Sequence, residues 1–343
     1  MRYSQLGMIA IGLGAAFAAS AVQAAPPAYK ITKTVMLGAP DGWDYLTFDA
    51  TSHRVYVTHS TEVTVVDGNS GEIIGRVQGF SGVHGIAAIP ELGKGYTNSR
   101  EKKAAIAFDL ATLKVLKEVP VSNDPDALIY DPATKHVFDM NGDGKDVTVI
   151  DPANDTAIAT IPLGGVPEFA ASDKAGHVFV NIEDTKEIVR IDAKANKIDA
   201  RWPIADCQAP HGLSIDAENH RLFTSCVNQK LLVVDSTNGQ VLATLPIGRG
   251  TDATIYDAKR KLAFSSNGDG TLSAIRQESP DKFTSAGDIQ TQPFARTMAL
   301  DPETGRIYLV TADLTEVNPK AESLRQRYQI KRGTVQLLFL DPS

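Results

Sequence analysis

Only two of the 343 residues are cysteine, at positions 207 and 226. A disulfide-dense scaffold and a cysteine-built zinc module are therefore excluded. Positive charge is also short: 34 Lys and Arg against 41 Asp and Glu leave a formal net charge of -7. That balance is a poor electrostatic start for binding a phosphate backbone, so nucleic acid is not an expected partner. No stretch sustains the 3.6-residue apolar period of an amphipathic helix. Gly-x-Ser-x-Gly, a P-loop and Gly-x-Gly-x-x-Gly are missing in any suitable context, which removes the common nucleophile-elbow and nucleotide-binding readings.

Long hydrophobic runs are missing except at the start. Arg2 precedes an apolar stretch from Leu6 to Ala18, and Val22-Gln23-Ala24 places small residues at cleavage-type positions. Residues 1–24 read as a secretory signal and 25–343 as a single domain. A spanning helix needs about 20 consecutive apolar residues and different flanks, so no membrane span is expected after processing. No cysteine lies near the cleavage point, which argues against a lipid anchor. The expected location is the periplasm or the outside of the cell, where disulfides form, and Cys207 and Cys226 are expected to pair.

What the sequence has in abundance is a repeat. "DALIYDPATKHVFDMNGDGKDVTVIDPANDTAIATIPLGGVP", 126–167, is its clearest copy: four runs rich in Val, Ile, Tyr, Phe and Thr, separated by Pro, Gly, Asn and Asp. That is strand and turn chemistry. Copies begin at Asp44, His84, Asp126, Glu168, His211, Asp252 and Arg296, with spacings of 40, 42, 42, 43, 41 and 44. Four strands per unit, seven times over, predicts an all-β fold, a seven-bladed β-propeller. The last unit is a strand short, with runs at 297–301, 306–311 and 333–341. The N-terminal run "YKITKTVML", 29–37, is expected to complete that C-terminal blade and close the ring.

The runs "RVYVTHS" (54–60), "TVIDPANDTAIATIPLGG" (148–165), "VVDSTNGQVLATLPIG" (233–248) and "SSNGDGTLSAI" (265–275) resemble the YVTN-repeat, YncE-like family of exported bacterial β-propellers. The resemblance covers essentially the whole mature chain. It implies fold and export rather than activity, because propellers of similar design include metal-dependent lactonases, a metal-dependent lyase and pure binding proteins. It also implies that the seven unit-starting residues ring one mouth of the central channel, on the face that carries the loops between second and third strands.

Every residue of that ring is ionisable. His84, Asp126, Glu168 and His211 come from consecutive blades and form the candidate binding cluster, flanked by Asp44 and Asp252. Imidazole and carboxylate together suit a divalent transition metal better than an all-oxygen calcium site. Arg296 of the ring and Arg100 of a neighbouring loop are candidate anion-binding groups. The long segment 312–334 interrupts the seventh unit and bears Lys320, Arg325, Arg327, Lys331 and Arg332. It is expected on the same face, holding an anionic ligand against the ring.

Other polar residues have plainer readings. Asp49, Asp131, Asp173, Asp216, Asp257 and Asp301, and likewise Asp67, Asp109, Asp151, Asp192 and Asp235, are expected to cap turns. Asn141 and Asn267 belong to hairpin turns. His53, His136, His177 and His220 are expected exposed on the opposite face, and Tyr45 and Phe169 in core packing. The function expected is binding of a metal ion or a small polar or anionic ligand at the mouth, by a monomer. Alternatives are a metal-dependent lactonase or lyase on the same residues, or a scaffold whose propeller face takes a protein partner.

Overall fold

The computed structural model describes residues 27–321 and 323–343, so the expected signal segment lies outside the described residues. Seven four-stranded antiparallel sheets succeed one another along the chain. The third is typical: Pro125–Asp131, His136–Asn141, Asp146–Asp151 and Thr156–Pro162, paired in sequence order. The first strand of each sheet touches that of the next, and Thr297–Leu300 of the seventh touches Leu46–Asp49 of the first. The result is a closed circle of seven blades.

The burial pattern explains why these runs become these strands. Second and third strands, such as Arg54–His59 and Glu62–Asp67, are buried almost end to end because a neighbouring blade covers each face. Fourth strands, such as Val115–Pro120, are exposed along most of their length. Each second strand also contributes one fully buried aromatic: Tyr56, Tyr96, Phe138, Phe179, Phe223, Phe264 and Tyr308. These seven rings occupy equivalent places between blades and form the repeating unit of the core.

The turn aspartates behave as expected. Asp49, Asp131, Asp173, Asp216, Asp257 and Asp301 accept hydrogen bonds from the backbone of Thr51, Thr134, Ala175, Asn219, Arg260 and Glu303. Asp67, Asp109, Asp151, Asp192 and Asp235 do the same in the turns after third strands. Of the four turn histidines, His53 and His220 are exposed, whereas His136 and His177 are half-buried. His177 Nδ1 lies 2.8 Å from Oδ2 of Asp173 in the same turn, which covers part of the ring.

The seventh blade closes as the repeat requires. Its outermost strand is Tyr29–Gly38, paired antiparallel with Tyr328–Pro342 from Tyr29 opposite Pro342 to Gly38 opposite Val335. The segment 312–334 departs from a simple loop. Its flanking strands run on as Ile307–Glu316 and Tyr328–Pro342, with Leu314 opposite Ile330 and Glu316 opposite Tyr328. A ladder lets this projecting chain satisfy its own backbone donors and acceptors. Near its tip stands a one-turn helix, Leu324–Arg327.

Cys207 and Cys226 are disulfide-bonded, with Cα atoms 5.2 Å apart, and both are fully buried. The bond ties the entrance of the fifth blade's first strand to the end of its second.

Candidate functional site

In blades three to six the ring residue sits inside a β-bulge of the first strand. The ladder skips from Pro125 to Leu128, Pro167 to Ala170, Pro210 to Leu213 and Thr251 to Thr254. A bulge re-aims side chains at the end of a sheet, and it frees Asp126, Glu168, His211 and Asp252 from cross-strand pairing. Behind the two histidines stand glycines. A Cβ on Gly85 would lie 2.4 Å from the Asp126 carbonyl oxygen, and one on Gly212 would lie 2.4 Å from the Thr254 nitrogen. Adjacent blades therefore approach backbone to backbone beside each imidazole.

Two buried asparagines clamp this arrangement. Asn98 Oδ1 accepts from the backbone N–H groups of His84 and Gly85, while its Nδ2 donates to the Asp126 carbonyl and to Asp139 Oδ1. Asn181 Nδ2 donates to the carbonyls of His211 and Gly212, at 2.6 and 3.2 Å. Both asparagines are fully buried, so they hold the ring rather than face a ligand. Asp139 is fully buried too, and burial drives its carboxyl far above the ordinary range.

The expected cluster of four divides into two groups of three. Asp44, His84 and Asp126 form one; Glu168, Glu183 and His211 form the other; in each, one ligand atom per residue lies within 4.8 Å of the others. His84 Nδ1 is 2.6 Å from Asp44 Oδ2 and 3.6 Å from Asp126 Oδ1. His211 Nδ1 is 3.6 Å from Glu168 Oε2, its Nε2 is 3.9 Å from Glu183 Oε1, and the buried Nδ1 has no hydrogen-bond partner. Asp252 belongs to neither group: its Oδ2 lies 2.5 Å from Arg296 Nη1. Arg100 pairs with Asp124 and lines a separate cavity with Lys103, Asn123 and Asp143.

Glu183 was not singled out from sequence. It lies in "NIED", a stretch on the ring's face that reads as a turn between second and third strands; only the folded blade brings it to His211.

The carboxylates strain against each other. Burial, reinforced by Asp44 and Glu168, raises the Asp126 carboxyl well above its ordinary value. Burial raises Asp252 to about 6 despite Arg296. Burial, then Glu168, raises Glu183. For His211 burial is the largest influence and acts downward, but Glu168, Asp252 and Glu183 together lift it to about 9.

Beneath the ring, Tyr45 of the first blade meets Phe169 of the fourth, with ring centroids 4.5 Å apart. These are the residues expected in core packing; their contact spans the propeller's axis and forms a floor under the mouth. Above the ring stands the hairpin tip. Leu324 packs on a glycine pair, where a Cβ on Gly250 or Gly268 would come within 2.9 or 3.1 Å of its Cδ1. The interrupting segment thus docks on the ring's face, beside His211 and Arg296.

No protein-family model matches the chain, and no curated protein matches it. Among solved structures, a chain of hydrazine synthase from Kuenenia stuttgartiensis is similar, with 13% identity and a TM-score of 0.69 over 85% of this chain and 95% of that one. The likeness is one of fold. Among the described residues, no helix is long and apolar enough to cross a membrane.

Proposed function

We propose that this is an exported β-propeller, akin to the YVTN-repeat group, that binds a divalent transition-metal ion at the mouth of its channel. The carrying observation is the group Glu168, Glu183 and His211, in which two carboxylates flank an imidazole whose buried Nδ1 has no hydrogen-bond partner. Mixed nitrogen and oxygen donors suit zinc, manganese, iron, nickel or copper better than calcium. Burial first, and then neighbouring carboxylates, raise Glu183 and, further round the ring, Asp126; a cation there would offset the carboxylate part of that cost. Asp44, His84 and Asp126 offer a second candidate group, but there the imidazole is already held by Asp44. The disulfide supports an oxidising compartment.

The test is metal titration of chelator-stripped protein by calorimetry, with elemental analysis of protein taken from its native compartment. The expected result is one divalent ion per chain, with affinity reduced at least about tenfold in His211→Ala and in Glu168→Gln. Absence of binding, or binding unchanged in both variants, overturns the reading.

A further inference from the structure

Two cavities open side by side between the ring and the hairpin tip, and both are lined by Phe294, Arg296 and Arg325. The one of about 340 Å³ adds His211 and Arg249. The one of about 490 Å³ adds Trp43, Tyr328 and Ile330. One end of the combined space is cationic and the other aromatic, and each volume falls in the range of small-molecule sites.

Two of the three guanidiniums lining the smaller cavity, Arg249 and Arg325, are not neutralised by a carboxylate among the described residues. Arg327 is spent on Glu316. Arg296 pairs with Asp252 through Nη1, and a guanidinium retains further donors. No carboxylate among the described residues forms an ion pair with Arg249 or Arg325. In a chain of net charge -7, three guanidiniums converging on one cavity call for a negative partner.

We propose that the two cavities form one site for an amphiphilic organic anion. Its carboxylate pairs with Arg249, Arg296 and Arg325, and its apolar or aromatic body lies against Trp43, Phe294 and Tyr328. Planar guanidiniums match a carboxylate's two oxygens, and the aromatic walls supply contact area that an inorganic anion would not use. The inference rests on the reading of this face as the binding mouth and specifies the ligand class it takes.

Trp43 lines the site, and the only other tryptophan is Trp202, so Trp202→Phe makes Trp43 the sole tryptophan, which is read by excitation selective for tryptophan over tyrosine. With metal removed by chelator, 3-phenylpropionate is titrated and followed by fluorescence and calorimetry, beside acetate and the neutral 3-phenylpropanol. Saturable binding is expected for phenylpropionate, with acetate and the alcohol each weaker by about tenfold or more, and weakening as salt rises. Arg249→Gln with Arg325→Gln should weaken phenylpropionate at least about tenfold, and Lys at both positions should restore part of the loss. Overturning results are no saturable binding, equal binding of the alcohol, or an unchanged affinity in the double variant. Metal titration of the same samples separates the two readings: metal without anion overturns this inference alone, and anion without metal overturns only the metal assignment.

Discussion

A metal ion bound at His211, as proposed, displaces a proton from the imidazole. For His211 the folded value of about 9 lies above the roughly 6.5 of a free imidazole. The stabilisation from its charged form is therefore complete below pH about 6.5 and is lost as pH rises through about 9. Metal affinity must run the other way, rising about tenfold per pH unit between 6.5 and 8.5 if one proton leaves. Calorimetry in buffers of different ionisation enthalpy should show that proton released, and a His211→Gln variant should flatten the profile. At this scale the sequence was legible where a residue begins a repeat, since the recurrence of ionisable residues at strand entrances singles out His84 and His211. Where contact depends on a neighbouring loop it reached less far: it places the loop 181–184 on the ring's face but does not pair Glu183 with His211. It also held a signal that the repeat register alone passes over: both ring histidines are followed by glycine, at 85 and 212. Gly212→Ala should cost about 1–3 kcal/mol, because the added Cβ meets backbone of the next blade rather than a movable side chain. Urea titration measures the loss.

Strands and turns were the most legible elements, because a blade buried on both sides leaves an apolar run and each aspartate turn marks its end. The seven buried aromatics were equally available, recurring once per unit in the second strand. Replacing one, Phe138→Ala, should lower stability by about 3–5 kcal/mol, read as a fall in urea midpoint with little change in slope. The bulges were not legible, since the extra residue has no composition of its own and is defined only by its partner strand. The position of segment 312–334 on the ring's face was legible, but its ladder was not, because a polar, lysine- and arginine-rich composition hides strands held by backbone pairing. Deleting 316–330 should leave the blades folded while abolishing anion binding, since it removes Leu324 and Arg325 but leaves the ring intact; circular dichroism and the phenylpropionate titration give the two readouts. Cys207→Ser with Cys226→Ser should lower stability by about 3 kcal/mol through release of the 19-residue separation, measurable by denaturant titration.

For the molecule as a whole, stability depends on closing the circle, and a single strand does that. A chain lacking residues 27–38 leaves Tyr328–Pro342 as an open sheet edge. Such a variant should aggregate and melt earlier and less cooperatively, as seen by size-exclusion chromatography and calorimetry, and a peptide of residues 27–38 added back should restore part of the loss. The same closure brings distant parts of the chain together: Ser343 N–H donates to the Ala28 carbonyl at 2.7 Å. Opposed pulls at residues 28 and 343 would therefore act at one end of an antiparallel pair, breaking its rungs one after another instead of all at once. Under tension the propeller is a zip fastener whose slider sits at Tyr29 and Pro342, and the first blade to part is the seventh, the one that carries the hairpin over the mouth.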